Sequence, residues 1–450
     1  MRADALLHEL AVLVGAEHVL PGTTASYLRD ATESRGVGGS ADAVVLPGTA
    51  NEVAAVLAWC YERDVAIVPR GGGTGFAGGA VPLGGVVVGL ERLTSIRSFD
   101  PLLWRIEVEA GLPTSDLRRI VRESGLFFPP DPGAAEQSQV GGNIAANAGG
   151  PHAFKYGVTG AWVTGLEAAL PPGELVAIGG PIRKDVSGYD LRSLLIGSEG
   201  TLGIVTAAWL RLLPAPEAAF PVVAFYPSVE AGCEALESVL GNGLEAAALE
   251  FLDGGTLAAA GASYPGGVPA GARFMAIAEA DGSAVEAARL RDALLEVLGE
   301  SALATHAPSP AELWRWRDGV SIAVTSQGGG KVSEDIVVPL DRLGEAVEGT
   351  VEIGRRHGLE ACSWGHAGDG NLHSTFLVAL DDEAALERAE DASAELFVLA
   401  LELGGSISGE HGLGLTKREH ARFSPRVRTL HEEIKRAFDP KGLLNPGKKL

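Results

Sequence analysis

Cysteine is nearly absent from this chain: Cys60, Cys233 and Cys362 are the only three in 450 residues, scattered and without Cys-x-x-Cys spacing. Neither a disulfide framework nor a cysteine zinc site is indicated, and a reducing compartment is expected. There is also no run of about 18 or more apolar residues that could cross a bilayer. The N-terminus reads Met-Arg-Ala-Asp and soon meets Glu9 and Glu17, which is not the pattern of a secretory leader. A cytoplasmic protein is expected, with any attachment to an inner membrane peripheral and through a partner. Basic residues are scarce, 36 against 58 acidic ones, for a formal net charge of -22. Such a surface repels phosphate backbones and anionic lipid heads, so nucleic acid is excluded as a partner. It also repels anionic small molecules, so an acid substrate would need local arginine or lysine at its site.

What the chain does have is glycine, 61 residues of it, together with 46% hydrophobic residues. Its length exceeds what one hydrophobic core fills, so more than one domain is expected. From Ala43 to Arg119 short β-branched runs alternate with amphipathic helices, the first opened by Asn51 as N-cap and another spanning Thr114 to Gly125. Pro214 and Pro216 mark a boundary. Beyond it the order strand, long helix, strand repeats, which suggests one antiparallel sheet with helices on a single face. Periodic helices follow at Asp381 to Leu403 and Arg426 to Phe438.

Three glycine-rich segments point to a bound ligand. VAIVPRGGGTGFAGG puts glycines directly after a strand, where successive N–H groups can cradle a diphosphate. Gly73, Gly75 and Gly78 match Gly-x-Gly-x-x-Gly, but the nicotinamide fingerprint needs a helix before the next strand and none fits before Val86. The chain is therefore expected to return as an antiparallel or hairpin-like strand; a glycine turn with no ligand is the plainer alternative. The stretch from Pro129 to Gly157 is long, small-residued and rich in carboxamides, and Asn143 and Asn147 could hydrogen-bond the edge of a ring system. IGSEGTLGIVT, Ile196 to Thr206, adds a tight turn entering a strand.

A histidine cluster lies further on. In SWGHAGDGNLHSTF the Asp369-Gly370 dipeptide favours a two-residue hairpin turn. Counting outward pairs His366 with His373 on one face, about 5 Å apart at Cβ, where two imidazoles can share a divalent ion. Glu410, next to His411 in GEHGLG, offers a carboxylate, and two histidines with one carboxylate form an open metal set. A stacked structural pair is the alternative. Arg317 and Lys331 supply the basic groups the acidic surface makes necessary, with Ser321 one helical turn after the arginine. Trp314 and Trp316 read as packing and Arg315 as a surface charge.

PRGGGTG, VGGNIAANAGG, GSEGTLGIVT, HAGDGNLH, GEHGLG and the terminal DPKGLLNPGK together resemble the vanillyl-alcohol-oxidase, or PCMH-type, FAD proteins. The branch is that of the glycolate oxidase FAD subunit, D-lactate dehydrogenase and D-2-hydroxyglutarate dehydrogenase. The resemblance implies an α+β protein with a two-subdomain PCMH-type FAD-binding domain at residues 1-214, opened by an N-terminal helix about 1-35. It further implies a ferredoxin-like α+β cap domain at 215-450 that ends in a helical segment, with 405-450 returning to the flavin. It assigns FAD contacts to Arg70, Gly71, Gly72, Gly73, Thr74 and Gly75 in the first segment. The second segment contributes Pro130, Ser138, Gly141, Gly142, Asn143, Ala146, Asn147, Gly149, Gly150 and Gly157, and later positions are Glu199, Gly200, Ile204 and Asn445. No histidine lies between Arg70 and Gly75, so noncovalent FAD is expected. His366, His373 and Glu410 would ligate a divalent metal, zinc or else iron or manganese, with His411 as general base and Arg317, Ser321 and Lys331 binding substrate.

The implied reaction is oxidation of a small 2-hydroxy acid by hydride transfer to flavin. The electron acceptor is left open among quinone, electron-transfer flavoprotein, cytochrome or partner subunits, and a homodimer fits the family. Rival readings are an FAD enzyme of another alcohol and an FAD-carrying subunit of a larger complex.

Overall fold

The computed structural model describes residues 3–450, which fold as two compact units. The first comprises the chain up to Gly149, Val158–Ala215 and Glu410–Leu450; the second comprises Gly150–Gly157 and Pro216–Gly409. Two stretches thus cross the line expected near Pro214: an octapeptide from the first half groups with the second unit, and the C-terminal tail groups with the first.

The first unit holds a four-stranded and a five-stranded sheet. The N-terminal helix is shorter than expected, Ala3–Val14, because Gly15 takes φ +90° and Pro21 and Gly22 follow; residues 1 and 2 of that expectation lie outside the described residues. Helix Ala50–Glu62 is capped by Thr49, not Asn51, whose side chain accepts from the Glu52 N–H at 3.2 Å. The strand Ile67–Arg70 does not return antiparallel. It pairs parallel with Val86–Gly89, Ile67 opposite Val86. A parallel pair needs a crossover of a dozen or more residues, and here the glycine-rich connection Gly71–Gly85 supplies that length without a helix. The five-stranded sheet is antiparallel throughout, built from Ile96–Asp100, Arg105–Glu109, Val163–Leu170, Glu174–Gly179 and Ile204–Arg211.

The second unit is organised by one seven-stranded antiparallel sheet. Its central strands are buried along their whole length: Ala248–Asp253 and all but the last residue of Phe274–Gly282. Helices cover both faces, contrary to the single-face expectation. On one face Phe225, Leu252, Met275 and Ile277 pack against Leu257, Leu313, Trp316 and Val320. On the other, where the neighbouring residues Tyr226 and Phe274 point, Tyr226 donates to the Leu298 carbonyl at 2.7 Å. Helix Val229–Gly241 comes so close there that a Cβ on Gly232 would stand 2.1 Å from the Phe274 ring. All three cysteines are buried and unpaired.

Candidate active site

In the first unit the glycine connection, helix Val140–Ala146 and the turn before Ile204 surround a cleft of about 1310 Å³, open mouth included. Of the residues expected to hold FAD, Arg70 through Gly75, Gly141, Gly142, Asn143, Ala146, Gly149, Glu199, Gly200 and Ile204 line it. His411 and Glu410 line it too, with the His411 ring 4.9 Å from Phe76. The walls are mostly main chain brought close by missing side chains: a Cβ on Gly72 would fall 1.9 Å from the Gln137 carbonyl oxygen. Gln139, not expected from the sequence, also lines the cleft, and its buried Oε1 has no hydrogen-bond partner. Small walls and an unspent carboxamide fit a dinucleotide cofactor.

Several expected cofactor residues also make hydrogen bonds within the protein. The Arg70 guanidinium donates to the carbonyls of Arg29 at 2.7 Å and Ser26 at 2.8 Å. The Asn143 amide donates to Thr114 Oγ1 at 2.7 Å, which in turn bonds Ser138 Oγ at 2.8 Å. Asn147, in the left-handed region, accepts from the Gly160 N–H at 2.8 Å. Asn147, Ser138, Pro130 and Asn445 do not line the cleft. Asn445 nevertheless braces two of its walls, donating to the carbonyls of Gly79 at 2.8 Å and Glu199 at 2.7 Å. The Glu199 carboxylate accepts from the N–H groups of Leu413 and Gly414 at 2.9 and 2.8 Å, which fixes the loop that bears His411. Gly150 and Gly157 belong to the second unit.

In the second unit one face of the sheet gathers the charged residues. Trp364, not His366, stands opposite His373; His366 pairs with Asn371. The expected two-residue turn fails because it requires positive φ at both central positions, and only Gly370, φ +67°, has it. Ala367–Asp369 forms a 3-10 turn instead, so the loop is longer and the register moves by two residues. A shift of two keeps both histidines on one face. They meet on the diagonal, ring centroids 5.4 Å apart and planes at 87°.

Glu250, which sequence reasoning missed, orients this group. Fully buried on a central strand, it accepts from His366 Nδ1 at 2.5 Å with one oxygen and from Arg317 Nη2 at 2.6 Å with the other. Burial would raise its carboxyl, but these two partners hold it below the usual range. An ionised carboxylate only accepts, so Nδ1 carries the His366 proton and Nε2 presents its lone pair. That is the arrangement by which carboxylates orient metal-ligating histidines. Asp335, opposite His373 in the sheet, accepts from the Gly409 N–H at 2.6 Å and so fixes the chain one residue before Glu410. Glu410 itself groups with the first unit.

The three basic-site residues adjoin the same face. Arg317 is 8% exposed, and its Nε–H is buried without an acceptor, a donor suited to an acid. Lys331 Nζ donates to Ser321 Oγ at 2.5 Å and to the Ser321 carbonyl at 3.0 Å, and lies 5.0 Å from the centre of the Trp364 ring. Burial lowers the lysine's pKa to about 8. Trp316 is core and Arg315 exposed, as expected; Trp314 does more than pack, donating to Glu279 at 2.6 Å beside His152, which bonds the same carboxylate at 2.8 Å.

Comparison with known proteins bears on both units. Residues 215–449 match the family described as FAD linked oxidases, C-terminal domain, and residues 41–179 match the FAD binding domain family. Glycolate oxidase subunit GlcD of Bacillus subtilis (strain 168) is 36% identical over 415 residues, covering 90% of this chain and 88% of its own. D-lactate dehydrogenase of Anaerostipes hadrus is 34% identical, with 88% and 87% covered. D-2-hydroxyglutarate dehydrogenase of Stutzerimonas stutzeri (strain A1501) is 31% identical, with 100% and 99% covered. Among solved structures, 4-ethylphenol oxidase from Gulosibacter chungangensis superposes with a TM-score of 0.82 at 19% identity, over 99% of this chain and 96% of that one. p-Cresol methylhydroxylase does so at 0.81 and 17%, with the same coverage. At such identity the likeness speaks for the fold alone. Among the described residues no helix is long and apolar enough to cross a membrane.

Proposed function

Since the chain belongs to the FAD-linked oxidases and shares the fold of p-cresol methylhydroxylase, we propose that it oxidises a small 2-hydroxy acid to the 2-oxo acid. Glycolate, D-lactate and D-2-hydroxyglutarate are the substrate types, in keeping with its relatives' names. The observation that carries this reading is the oriented donor pair, His366 locked by Glu250 beside His373, sharing its locking carboxylate with Arg317.

The Arg70–Gly75 connection, helix Val140–Ala146 and Glu199–Gly200 would hold FAD noncovalently, which would supply the acceptor for the two electrons and the α-hydrogen. His366, His373 and Glu410 would hold a divalent ion, zinc or else iron or manganese, which would supply a Lewis acid that lowers the pKa of the substrate hydroxyl. Arg317 and Lys331 bind the carboxylate, the arginine through its unspent Nε–H, with Ser321 fixing the ammonium. His411 takes the hydroxyl proton, so that the α-carbon releases its hydrogen as hydride and the carbonyl forms. Re-oxidation falls to a separate acceptor or partner subunit.

The test is anaerobic. Mixing the flavin-loaded protein with a panel of 2-hydroxy acids should bleach the flavin, and His411→Ala, still loaded, should bleach at least about a hundredfold more slowly. Flavin that survives every acid of the panel, or a His411→Ala variant as fast as the parent, removes the proposal.

A further inference from the structure

The five-stranded sheet of the first unit carries a second cluster of basic residues that the reaction does not use. Strands Ile96–Asp100 and Arg105–Glu109 are joined by the tip Pro101-Leu102-Leu103-Trp104, on which Leu102 is 91% and Leu103 54% exposed and Trp104 takes φ +52°. The tip is ordered: the Asp100 carboxylate accepts from the Leu103 N–H at 3.3 Å. Directly behind it Arg105 stands opposite Arg211 on the neighbouring strand, a like-charge cross-strand pair that costs stability. Arg183 joins them in one pocket with Trp104, Thr164 and Pro181. Each arginine lies over an aromatic face, Arg105 on Trp209, Arg183 on Trp104 and Arg211 on Trp162, at 6.0, 5.7 and 4.4 Å.

Little anionic charge answers these three cations. Asp100 reaches Arg105 at 3.4 Å, and among the described residues no carboxylate pairs with Arg183 or Arg211. Arg105 Nε is buried without an acceptor, and burial together with the Arg183 charge lowers the pKa of Arg211. Nearby Asp185 and Asp190 are engaged by Ser187 and by Arg192 and Ser193, on a segment that also carries Lys184 and the exposed Ile182. Apolar side chains projecting beyond a ring of arginine and tryptophan form the pattern of an interfacial membrane contact. The chain's average charge opposes this, but charges more than about 8 Å away are largely screened at physiological ionic strength, so the local cluster governs.

We propose that this face docks on an anionic lipid surface, with a headgroup phosphate in the Arg105, Arg183 and Arg211 pocket and Leu102 and Leu103 entering the apolar boundary. The flavin-loaded protein should co-sediment with vesicles containing one third phosphatidylglycerol but not with neutral phosphatidylcholine vesicles. Arg183→Ala should weaken this about fivefold, the effect of one cation near such a surface. The double variant Leu102→Ser, Leu103→Ser should abolish it while flavin content and dye reduction stay unchanged. Equal binding to neutral vesicles, no binding to anionic ones, or variants that sediment like the parent would each overturn the proposal. Tryptophan quenching saturated by inorganic phosphate without any vesicle binding would also overturn it, leaving a small-anion site.

Discussion

The cleft of the first unit and the charged sheet face of the second solve the problem of holding a ligand by opposite means. The cleft is main chain and small side chains, and its specificity lies in what is missing: at Gly72 even one methyl has no room. The sheet face is long side chains whose charges are spent on one another, with Glu250 at the centre. A backbone cradle tolerates loss of polar side chains and fails on added volume, whereas a buried charge network tolerates neither partner being lost. The contrast suits a large cofactor held by its diphosphate and a small acid held by two or three charges.

Three changes probe that contrast, from the largest effect to the smallest. Glu250→Ala would strand the Arg317 charge in the interior and leave the His366 Nδ1–H without its acceptor, and should cost about 3–5 kcal/mol of stability by denaturant unfolding. Its metal affinity should fall at least about tenfold by chelator competition, with flavin uptake retained. A loss below about 1 kcal/mol would show that Glu250 is not the centre of the network. Gly72→Ala should behave in the opposite way. Overpacking of about 1–3 kcal/mol should weaken flavin binding roughly ten- to a hundredfold in a fluorescence titration, while metal content stays that of the parent. The third change is in pH. Lys331 is protonated below about 8 and neutral above it, so KM for the acid should climb above that pH by up to about tenfold per unit while kcat holds. In Lys331→Ala the KM should be raised at every pH and lose this climb; a parent KM flat from pH 7 to about 10 removes the lysine from acid binding.

The parts of this arrangement that were legible in sequence are those set by local chemistry. A glycine cluster directly after a strand, and two histidines flanking a tight bend, are features of short segments, and both ended where a ligand could lie. Pairing between distant segments was not legible: nothing near Pro69 says that Val86–Gly89 lies between it and Ala43–Val45 as a parallel neighbour. The histidine register slipped because Asp369 keeps negative φ, which the Asp-Gly dipeptide alone does not reveal. Glu250 was invisible for a different reason. In the run Ala-Leu-Glu-Phe-Leu-Asp an acid among apolar residues reads as the solvent side of a strand, and only helices on both faces make it interior. Carboxamides can serve either ligand or loop, and sequence alone does not show that the Asn143 amide donates to Thr114 or that the Asn147 carbonyl accepts from the Gly160 N–H.

The burial of all three cysteines carries a consequence for how the protein ages in use. A reduced flavin intercepted by oxygen yields peroxide, and peroxide attacks thiolates, not thiols. Burial pushes the Cys60, Cys233 and Cys362 thiols each up to about 12, so near neutrality almost none of the sulfur is in the vulnerable form. Peroxide reaching this chain near neutrality would find little thiolate to attack.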